Sequence, residues 1–306
     1  LDLNAIALGV SPALSLRTEH PTGQEYASHL TAVAAYFQVP VREHVDVVRV
    51  EREADGFRID ATDATFHARY VIWAAGEFQY PRRTGFAGSE LCLHTAMVGS
   101  YDDLDGDDCL IIGGYESGVD AAYNLARRNK VVHLFDAECP WESESADPSV
   151  ALSPFTLERM RERCFKEQVE LHPHTPIASV SFGRDCYELS ARDGTRFETR
   201  SLPLLAGGFE GSHARVADLF DARADGFPLL NESDESTLAP GLFLCGPSVR
   251  HDDQSFCFIY KFRQRFAVVV DAIATSLGRS SEWLETYRLW GMYLDDLSCC
   301  GGDCVC

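Results

Sequence analysis

The sequence lacks two kinds of segment that would direct it to a membrane or a secretory route. No apolar run reaches the roughly 18 residues that a membrane-spanning helix needs. The first ten residues contain no basic segment ahead of an apolar core, so they do not resemble a secretory signal. With 45% hydrophobic and 24% charged residues in 306, the composition is that of an ordinary globular protein. We therefore expect a cytoplasmic chain without a membrane partner.

Basic residues are also scarce relative to acidic ones. Lys and Arg total 27 against 47 Asp and Glu, which gives a formal net charge of -20. Because nucleic acids and anionic bilayers attract positively charged surfaces, this balance argues against either as a main partner. A small-molecule substrate is compatible with it.

The sequence does contain a strand, a glycine turn, a helix and a second strand within about thirty residues. Residues 109–112 form an apolar run that stops at two glycines, and a helix is predicted over 116–128. Residues 131–135 form the next apolar strand, which ends at Asp136. This order is typical of a dinucleotide-binding unit.

The glycine turn carries the predicted chemistry. Glycines allow a sharp turn and close helix–strand packing, and the helix N-terminus offers amide groups to a pyrophosphate. An acid at the end of the next strand accepts hydrogen bonds from an adenosine ribose and favours NADH over NADPH. The predicted nucleotide-binding residues are Gly113, Gly114, Tyr115, Glu116, Ser117, Gly118 and Asp136. The alternative is a plain glycine turn before a helix.

Tyr115 departs from the usual glycine fingerprint, because it stands where the second glycine is expected. A side chain at this position either blocks the close approach of a pyrophosphate or covers the cofactor and gates it. Both interpretations leave the predicted fold unchanged.

One supersecondary pattern occurs twice along the chain. Residues 45–76 and 177–208 each read as a small β-meander that leads into an apolar strand with an Ala-x-Gly end. The strand over 66–75 is continuously apolar at its centre, which predicts burial on both faces. We interpret the two segments as an internal structural repeat.

Four motifs in this order resemble the two-dinucleotide-binding-domain flavoproteins. They are the strand end at 74–76, the turn at 113–118, the strand end at 206–208 and the late glycine motif at 241–247. This superfamily includes thioredoxin-reductase-like disulfide oxidoreductases and flavin-containing monooxygenases. The resemblance implies an α/β fold of two Rossmann-like domains with three-stranded β-meanders, and FAD and NAD(P)H as cofactors.

The resemblance also implies a domain organisation. Residues 1–80 would form the first part of an FAD-binding domain, 81–205 the NAD(P)H-binding domain, 206–280 the return part of the FAD-binding domain, and 281–306 a C-terminal helix with a Cys-rich tail. The family's FAD glycine turn does not precede this part of the chain. We therefore expect the first domain to be incomplete at its N-terminus and interpret the sequence as a fragment.

Further cofactor contacts follow from the same resemblance. The implied residues are Ala75, Gly76, Gly207, Gly246 and Pro247. Pro247 departs from the family, which has an aspartate there that binds a flavin ribityl hydroxyl. Either a nearby aspartate replaces this contact or the backbone alone provides it.

The stretch before the glycine turn distinguishes the two branches of the superfamily. Reductases of the thioredoxin-reductase type carry Cys-x-x-Cys there, whereas this chain has Cys92 alone and no Cys-x-x-Cys anywhere. Flavin monooxygenases carry Phe-x-Gly followed by His, which Phe86, Gly88 and His94 match loosely. We interpret His94 as a positioned structural histidine, with a catalytic histidine as the alternative.

A long helix is predicted over 258–277. Its buried face is expected to contain Phe262, Phe266, Val269, Val270, Ile273 and Leu277. The basic residues near its start are expected on the solvated side, or in contact with a phosphate or the substrate. They are Lys261, Arg263 and Arg265. A last helix is predicted over 283–294.

The C-terminal tail contains four cysteines within eight residues. Its predicted catalytic residues are Cys299, Cys300, Cys304 and Cys306. A mobile cysteine pair can relay electrons from a reduced flavin to a bulky disulfide, or the cluster can bind a soft metal ion. A tail without a function is the third interpretation. Elsewhere in the chain the sequence assigns no metal site.

Together these patterns predict an FAD-dependent oxidoreductase that takes hydride from NAD(P)H, with NADH preferred. The electron acceptor is either a disulfide or thiol compound or is linked to oxygen, as in a monooxygenase acting on a small nucleophile. The alternative from another class is a non-catalytic protein that binds soft metals or senses redox state. A homodimer is compatible with the sequence.

Overall fold

The computed structural model describes residues 2–145, 147 and 149–298. The chain forms two compact units. The first contains the residues up to Gly76 and the segment that begins at Gly211, and the second is Glu77–Glu210. No helix in the described part of the chain is both long enough and apolar enough to cross a bilayer.

The helices and strands follow one another along the chain with short connections. The helices are α1 Pro12–Leu16, α2 Gly23–Tyr36, α3 Glu116–Ala126, α4 Pro154–Arg161, α5 Arg163–Gln168, α6 Ile259–Ser276 and α7 Glu285–Leu289. The strands are β1 Val47–Glu53, β2 Gly56–Ala61, β3 Thr65–Ala68, β4 Val71–Trp73, β5 Leu93–His94, β6 Asp108–Ile112, β7 Val131–Phe135, β8 Val169–His172, β9 Ile177–Gly183, β10 Cys186–Ala191, β11 Arg196–Thr199, β12 Leu204–Leu205, β13 Leu242–Leu244, β14 Arg250–His251 and β15 Gln254–Ser255.

The second unit is built on a parallel five-stranded sheet in the order β5-β12-β6-β7-β8. Ile111, Leu134 and Leu204 lie at its centre with no exposed surface. Their near-continuous apolar strands are those that a doubly covered parallel sheet requires. Helix α3 packs its Val119 and Leu125 side against this core. The predicted strand, glycine turn, helix and strand are therefore confirmed.

The predicted repeat is also present in the structure. Strands β1, β2 and β3 form an antiparallel meander in the first unit, and β9, β10 and β11 form one in the second. Each meander leads into a short parallel strand, β4 in the first unit and β12 in the second. The fold class predicted from the sequence, α/β with two such units, is confirmed.

Strand β4 differs from the single buried strand that the sequence predicts over 66–75. The single strand predicted over 66–75 is two strands, because β3 belongs to the meander and β4 to the parallel pair with β13. Among the described residues β4 pairs with β13 alone, and Ile72 is 49% exposed. The prediction that this strand is buried on both faces is therefore wrong for the described part of the chain.

Helix α6 corrects a second expectation, which concerns the residues on its buried face. Arg263 and Arg265, expected on the solvated side, are only 5% and 1% exposed, whereas Val270 and Leu277, expected in the core, are 38% and 43% exposed. Periodicity therefore misplaced the buried face of α6, whose buried residues are Arg263, Arg265, Ala267, Val268 and Val269. Buried acceptors fix the orientation instead.

The buried acceptor for Arg265 is Asp234. Arg265 donates from Nε and Nη2 to the Asp234 carboxylate at 3.0 and 2.8 Å, and Nε2 of His251 lies 2.5 Å from Oδ1 of the same group. Asp234 has no exposed surface. Since a buried charge is tolerated only when it is paired, this network fixes α6 against the loop before β13.

The last predicted helix is shorter than expected. Helix α7 ends at Leu289, and Gly291 follows with φ of +63°. A glycine in the left-handed region just after a helix stops it, because its backbone turns away while capping the last carbonyls.

We predict that Arg265→Met destabilises the first unit by about 3–5 kcal/mol, because it leaves the Asp234 carboxylate buried without its main partner. Urea unfolding followed by far-UV circular dichroism measures the change. The matched control is Arg279→Met at an exposed position after α6, which should change stability by less than about 0.5 kcal/mol. Equal effects of the two substitutions would contradict the assigned role of Arg265.

Candidate functional site

The glycine turn after β6 is packed too closely to admit side chains. Gly113 has φ of +101°, which favours glycine. A Cβ on Gly118 would lie 1.8 Å from the Gly113 carbonyl oxygen, and one on Gly114 would lie 2.1 Å from Cζ3 of Trp141. The start of α3 therefore lies directly against the end of β6, as the sequence argument for this turn requires.

The turn lies where the strand order of the sheet reverses. From β6 the chain proceeds to β7 and β8 on one side, while β12 and β5 lie on the other. A Cβ on Gly113 would meet the carbonyl oxygen of Ala206, which follows β12, at 2.4 Å. Ligands of open parallel sheets bind outside the carboxyl ends of the strands at such a reversal.

Asp136 holds this turn in place. Its Oδ2 accepts a hydrogen bond from the Gly114 backbone N–H at 2.6 Å. Its Oδ1 accepts from the N–H groups of Glu138 and Cys139, each at 2.7 Å. Because a carboxylate has about four acceptor positions, most of its capacity is used by the protein backbone. The side chain thus links the glycine turn to the loop after β7.

An acidic cavity of about 650 Å³ lies beside the turn. Its described lining includes three acids, Asp136, Glu138 and Glu142, and contains no Lys or Arg. Tyr115 also lines it, and the same side chain packs against the core under α3. The cavity therefore has negative potential and one aromatic wall.

Glu116 uses its carboxylate within the protein. It accepts hydrogen bonds from the Ser153 backbone N–H at 2.6 Å and from the Thr156 hydroxyl, which ties the start of α3 to the start of α4. A carboxylate in the first turn of a helix is also stabilised by the helix dipole. The Glu116 side chain is therefore occupied by the protein itself, and the Glu116 backbone amide is the group predicted to bind a nucleotide.

These contacts fit a dinucleotide. A pyrophosphate site needs a closely packed glycine turn, a helix N-terminus and open space at the strand reversal. The structure has all three: three closely packed glycines, the start of an eleven-residue helix and the adjacent cavity. The structure brings Gly113–Gly118 and Asp136 together.

The remaining predicted cofactor residues lie elsewhere. In the first unit β4 and β13 run parallel, and each is followed by a glycine in the left-handed region: Gly76 at +67° and Gly246 at +109°. A Cβ built on either glycine has no neighbour within 4 Å, so the space above both strand ends is open. Ala75 and Pro247 adjoin these glycines, which fits a ligand lying across the two strand ends.

The first unit offers this open edge but no glycine cradle of its own. Among its described residues, no strand is followed by a glycine turn and a helix. Gly207, predicted from its motif, lies in the second unit, where a Cβ would come within 2.7 Å of the Arg82 carbonyl oxygen. Close backbone packing accounts for that glycine.

His94 is structural, as interpreted from the sequence. Its ring is 1% exposed, its Nε2 lies 3.0 Å from the Gly208 carbonyl oxygen, and its Nδ1 accepts from the Ala96 N–H at 3.1 Å. Both nitrogens are bonded to backbone groups, which assigns the proton to Nε2. Burial lowers the pKa of His94, so the ring is held neutral.

Several cysteines are protected from reaction by burial. Burial raises the pKa of Cys92 to about 12, of Cys109 to about 11 and of Cys245 to about 12. A thiol reacts through its thiolate, so these three are poor nucleophiles at neutral pH. The cysteines proposed as catalytic, Cys299, Cys300, Cys304 and Cys306, lie outside the described residues.

Sequence reasoning missed part of the cavity. Glu138 and Glu142, which line the cavity, follow Asp136 in a loop without periodicity. The same loop places Trp141 against Gly114, so the roles of these residues depend on how the loop folds back over the turn. The only local signal is Asp136 itself, since aspartate commonly accepts from backbone N–H groups two or three residues ahead.

Comparisons with known proteins agree with this geometry. Residues 1–246 match the family model described as pyridine nucleotide-disulphide oxidoreductase. An uncharacterized CzcO-like oxidoreductase of Geobacillus kaustophilus is 26% identical over 127 residues, which are 39% of this chain and 36% of that protein. The match thus spans about a third of that relative.

Three solved structures share the fold. The bacillithiol disulfide reductase Bdr of Staphylococcus aureus has a TM-score of 0.72 at 16% identity, covering 90% of this chain and 84% of that one. The thioredoxin reductase of T. acidophilum has 0.66 at 17%, covering 90% and 86%. A flavin-containing monooxygenase of Stenotrophomonas maltophilia has 0.63 at 20%, covering 85% and 79%. At these identities the likeness concerns the fold.

We predict that Gly118→Ala lowers the stability of the second unit by about 1–3 kcal/mol, although alanine favours a helix by about 1 kcal/mol over glycine. The added methyl group must displace the Gly113 carbonyl, so NADH binding should weaken by at least about tenfold. Thermal unfolding and an NADH titration followed by Trp fluorescence measure the two effects.

The matched control is Gly183→Ala at the end of β9, where a Cβ has no neighbour within 4 Å. It should leave both quantities unchanged. If Gly118→Ala were as stable as the parent protein and bound NADH equally well, the close contact between α3 and β6 would not be required.

Proposed function

Because the chain belongs to the pyridine nucleotide-disulphide oxidoreductase family, we propose that it is a flavin-dependent enzyme that oxidises NADH and reduces a disulfide acceptor to two thiols. When bound, the nicotinamide nucleotide supplies a hydride and the flavin passes its electrons on. The observation that carries the proposal is the closely packed glycine turn beside an acidic cavity at the strand reversal.

In this proposal the second unit holds the nucleotide. The backbone amides of Glu116 and Ser117 at the start of α3 bind the pyrophosphate, and Tyr115 covers one wall of the site. Asp136 keeps the turn in its binding conformation through its bond to the Gly114 N–H. The open strand ends at Ala75, Gly76, Gly246 and Pro247 in the first unit hold FAD.

The acidic lining supports a preference for NADH. A 2′-phosphate carries up to two negative charges, which the carboxylates of Asp136, Glu138 and Glu142 would repel. Because Asp136 also supports three backbone N–H groups, substituting it changes both charge and structure. Glu138 is exposed at the cavity and gives the cleaner test of charge.

We predict that Glu138→Gln reduces the preference for NADH over NADPH by about threefold to tenfold, because it removes one negative charge near the ribose. Dissociation constants for both nucleotides, measured at low ionic strength, give the ratio. Glu198→Gln, an exposed acid in β11 outside the cavity lining, is the matched control and should not change it. A parent protein that binds NADPH more tightly would refute the assignment.

Two acceptors compete in this proposal. The cysteines of the tail favour a disulfide, and two proteins of similar fold are disulfide or thioredoxin reductases by name. The monooxygenase alternative has support in Cys92, because burial raises its pKa to about 12 and makes it unsuitable as a redox thiol before the glycine turn. The tail is therefore the part of the chain on which the choice depends.

We predict that the FAD-loaded enzyme oxidises NADH when a low-molecular-weight disulfide is present. Replacing Cys299, Cys300, Cys304 and Cys306 with serine should reduce disulfide turnover at least about tenfold while leaving NADH binding intact, since the proposed nucleotide contacts are made by the turn at 113–118 and the loop after β7. Substituting Cys164, a thiol outside the tail, is the control.

Oxygen uptake is measured in the same reactions. Equal disulfide turnover with and without the tail cysteines would refute the relay. NADH oxidation that consumes oxygen and ignores disulfides would favour the monooxygenase. An FAD-loaded protein that transfers electrons from NADH to neither acceptor would favour the non-catalytic alternative.

A further inference from the structure

Two histidines and a glutamate meet on one face of the second unit's sheet, in adjacent strands. His133 in β7 pairs with Glu170 in β8, and Phe135 pairs with His172. Since alternate residues of a strand share a face, the side chains of His133, Glu170 and His172 lie on the same side of the sheet. This is the face that carries Phe135 and Phe197, opposite to the face covered by α3.

The potential ligand atoms lie at distances suited to a single ion. His133 Nδ1 is 2.9 Å from His172 Nε2, and the Glu170 carboxylate oxygens lie 3.4 Å from His133 Nδ1 and 3.8 Å from His172 Nε2. Ligands of a tetrahedral zinc ion, at about 2.0–2.1 Å from the metal, stand about 3.4 Å apart. One of the three separations equals that value, and the other two lie within about 0.5 Å of it.

The surroundings hold the ligands in position while leaving one side open. The His172 ring stacks on Phe135 with centroids 4.4 Å apart, and Phe197 meets it edge-on at 4.9 Å. The side chain of His172 is 14% exposed, that of His133 27% and that of Glu170 64%. Packing therefore fixes His172, and the exposed carboxylate leaves a path for an ion and a place for a water molecule.

We propose that His133, Glu170 and His172 bind a zinc ion, with solvent as the fourth ligand. Two imidazoles and one carboxylate form a donor set that zinc accepts readily. A hydrogen bond between two histidines accounts for the 2.9 Å distance alone, but it does not account for a carboxylate that approaches both rings.

The ion would join the outermost strand of the sheet to its neighbour. β8 pairs with β7 and lies at the end of the strand order. Just beyond it, the Asp136 N–H donates to the His172 carbonyl oxygen at 3.3 Å, and the Thr175 N–H donates to the Asp136 carbonyl oxygen at 2.8 Å. Zinc at His172 would therefore stiffen the segment that supports Asp136. This proposal does not depend on the proposed enzymatic function.

Thiolates elsewhere in the chain compete for zinc, so the experiment uses the full chain with Cys299, Cys300, Cys304 and Cys306 changed to serine. Zn²⁺ binding is measured by competition with a chromophoric chelator, and Co²⁺ serves as a spectroscopic probe. We expect one ion per chain, a visible spectrum typical of tetrahedral Co²⁺ without a thiolate charge-transfer band, and a higher thermal midpoint with zinc than without it.

Each ligand is then removed singly. Glu170→Gln and His133→Gln should each weaken zinc binding at least as much as the loss of an outer-shell partner does, about 10–100-fold. Both residues are partly exposed, so these variants should remain folded, whereas His172→Gln also disturbs the aromatic packing. The matched control is His67→Gln, an exposed histidine that pairs with Glu53 in the first unit.

A second cluster provides the competing outcome. Cys139, Glu142 and His174 also lie close together, in the loops after β7 and β8. If His174→Gln abolishes binding and Co²⁺ shows a thiolate band, the ion belongs to that cluster and the proposal is overturned. It is equally overturned if the tail-substituted chain binds no zinc, or if Glu170→Gln and His133→Gln bind it as tightly as the parent.

Discussion

Three backbone N–H groups converge on the Asp136 carboxylate, one from the turn after β6 and two from the loop after β7. The carboxylate thereby fixes the conformation in which Gly114 packs under Trp141 and α3 starts against Gly113. Charge-assisted hydrogen bonds to backbone amides are about twice as strong as neutral ones. One side chain can therefore hold both loops at this edge of the sheet in place. The proposed nucleotide site, the acidic cavity and the segment after β8 all adjoin this contact.

Much of this architecture could be predicted because it depends on local pattern. The apolar strands around 110 and 133, the glycines at 113, 114 and 118, and the two meanders each follow from spacing within a short window. Residues whose roles depend on distant partners could not be predicted. Arg265 was expected in solvent because nothing near it in sequence indicates that Asp234 is buried 31 positions away.

The residues of the candidate site also fall into two groups, those that local sequence pattern indicates and those that it does not. The position of the glycine turn could be predicted, since it follows from a turn between a strand and a helix. Asp136 was predicted to accept from a ribose, whereas its carboxylate accepts from three backbone N–H groups, and its contact with a nucleotide stays a prediction. The acids at 138 and 142 could not be predicted, because a loop without periodicity gives no information about which side chains face a cavity. The pairing of His133 with Glu170 was equally invisible, since it depends on the register between two strands that are separated by two helices.

The buried thiols have a consequence for the behaviour of the chain under oxidative stress. Cys92 and Cys109 are 4% and 2% exposed, and burial raises the pKa of both thiols well above physiological pH. Peroxides and alkylating agents attack thiolates, so these sulfurs are spared as long as the fold is intact. Local unfolding would expose them to oxidation, and oxidation beyond the reversible sulfenic acid to sulfinic or sulfonic acid leaves a lasting chemical change. Their oxidation state therefore records the past unfolding of the chain.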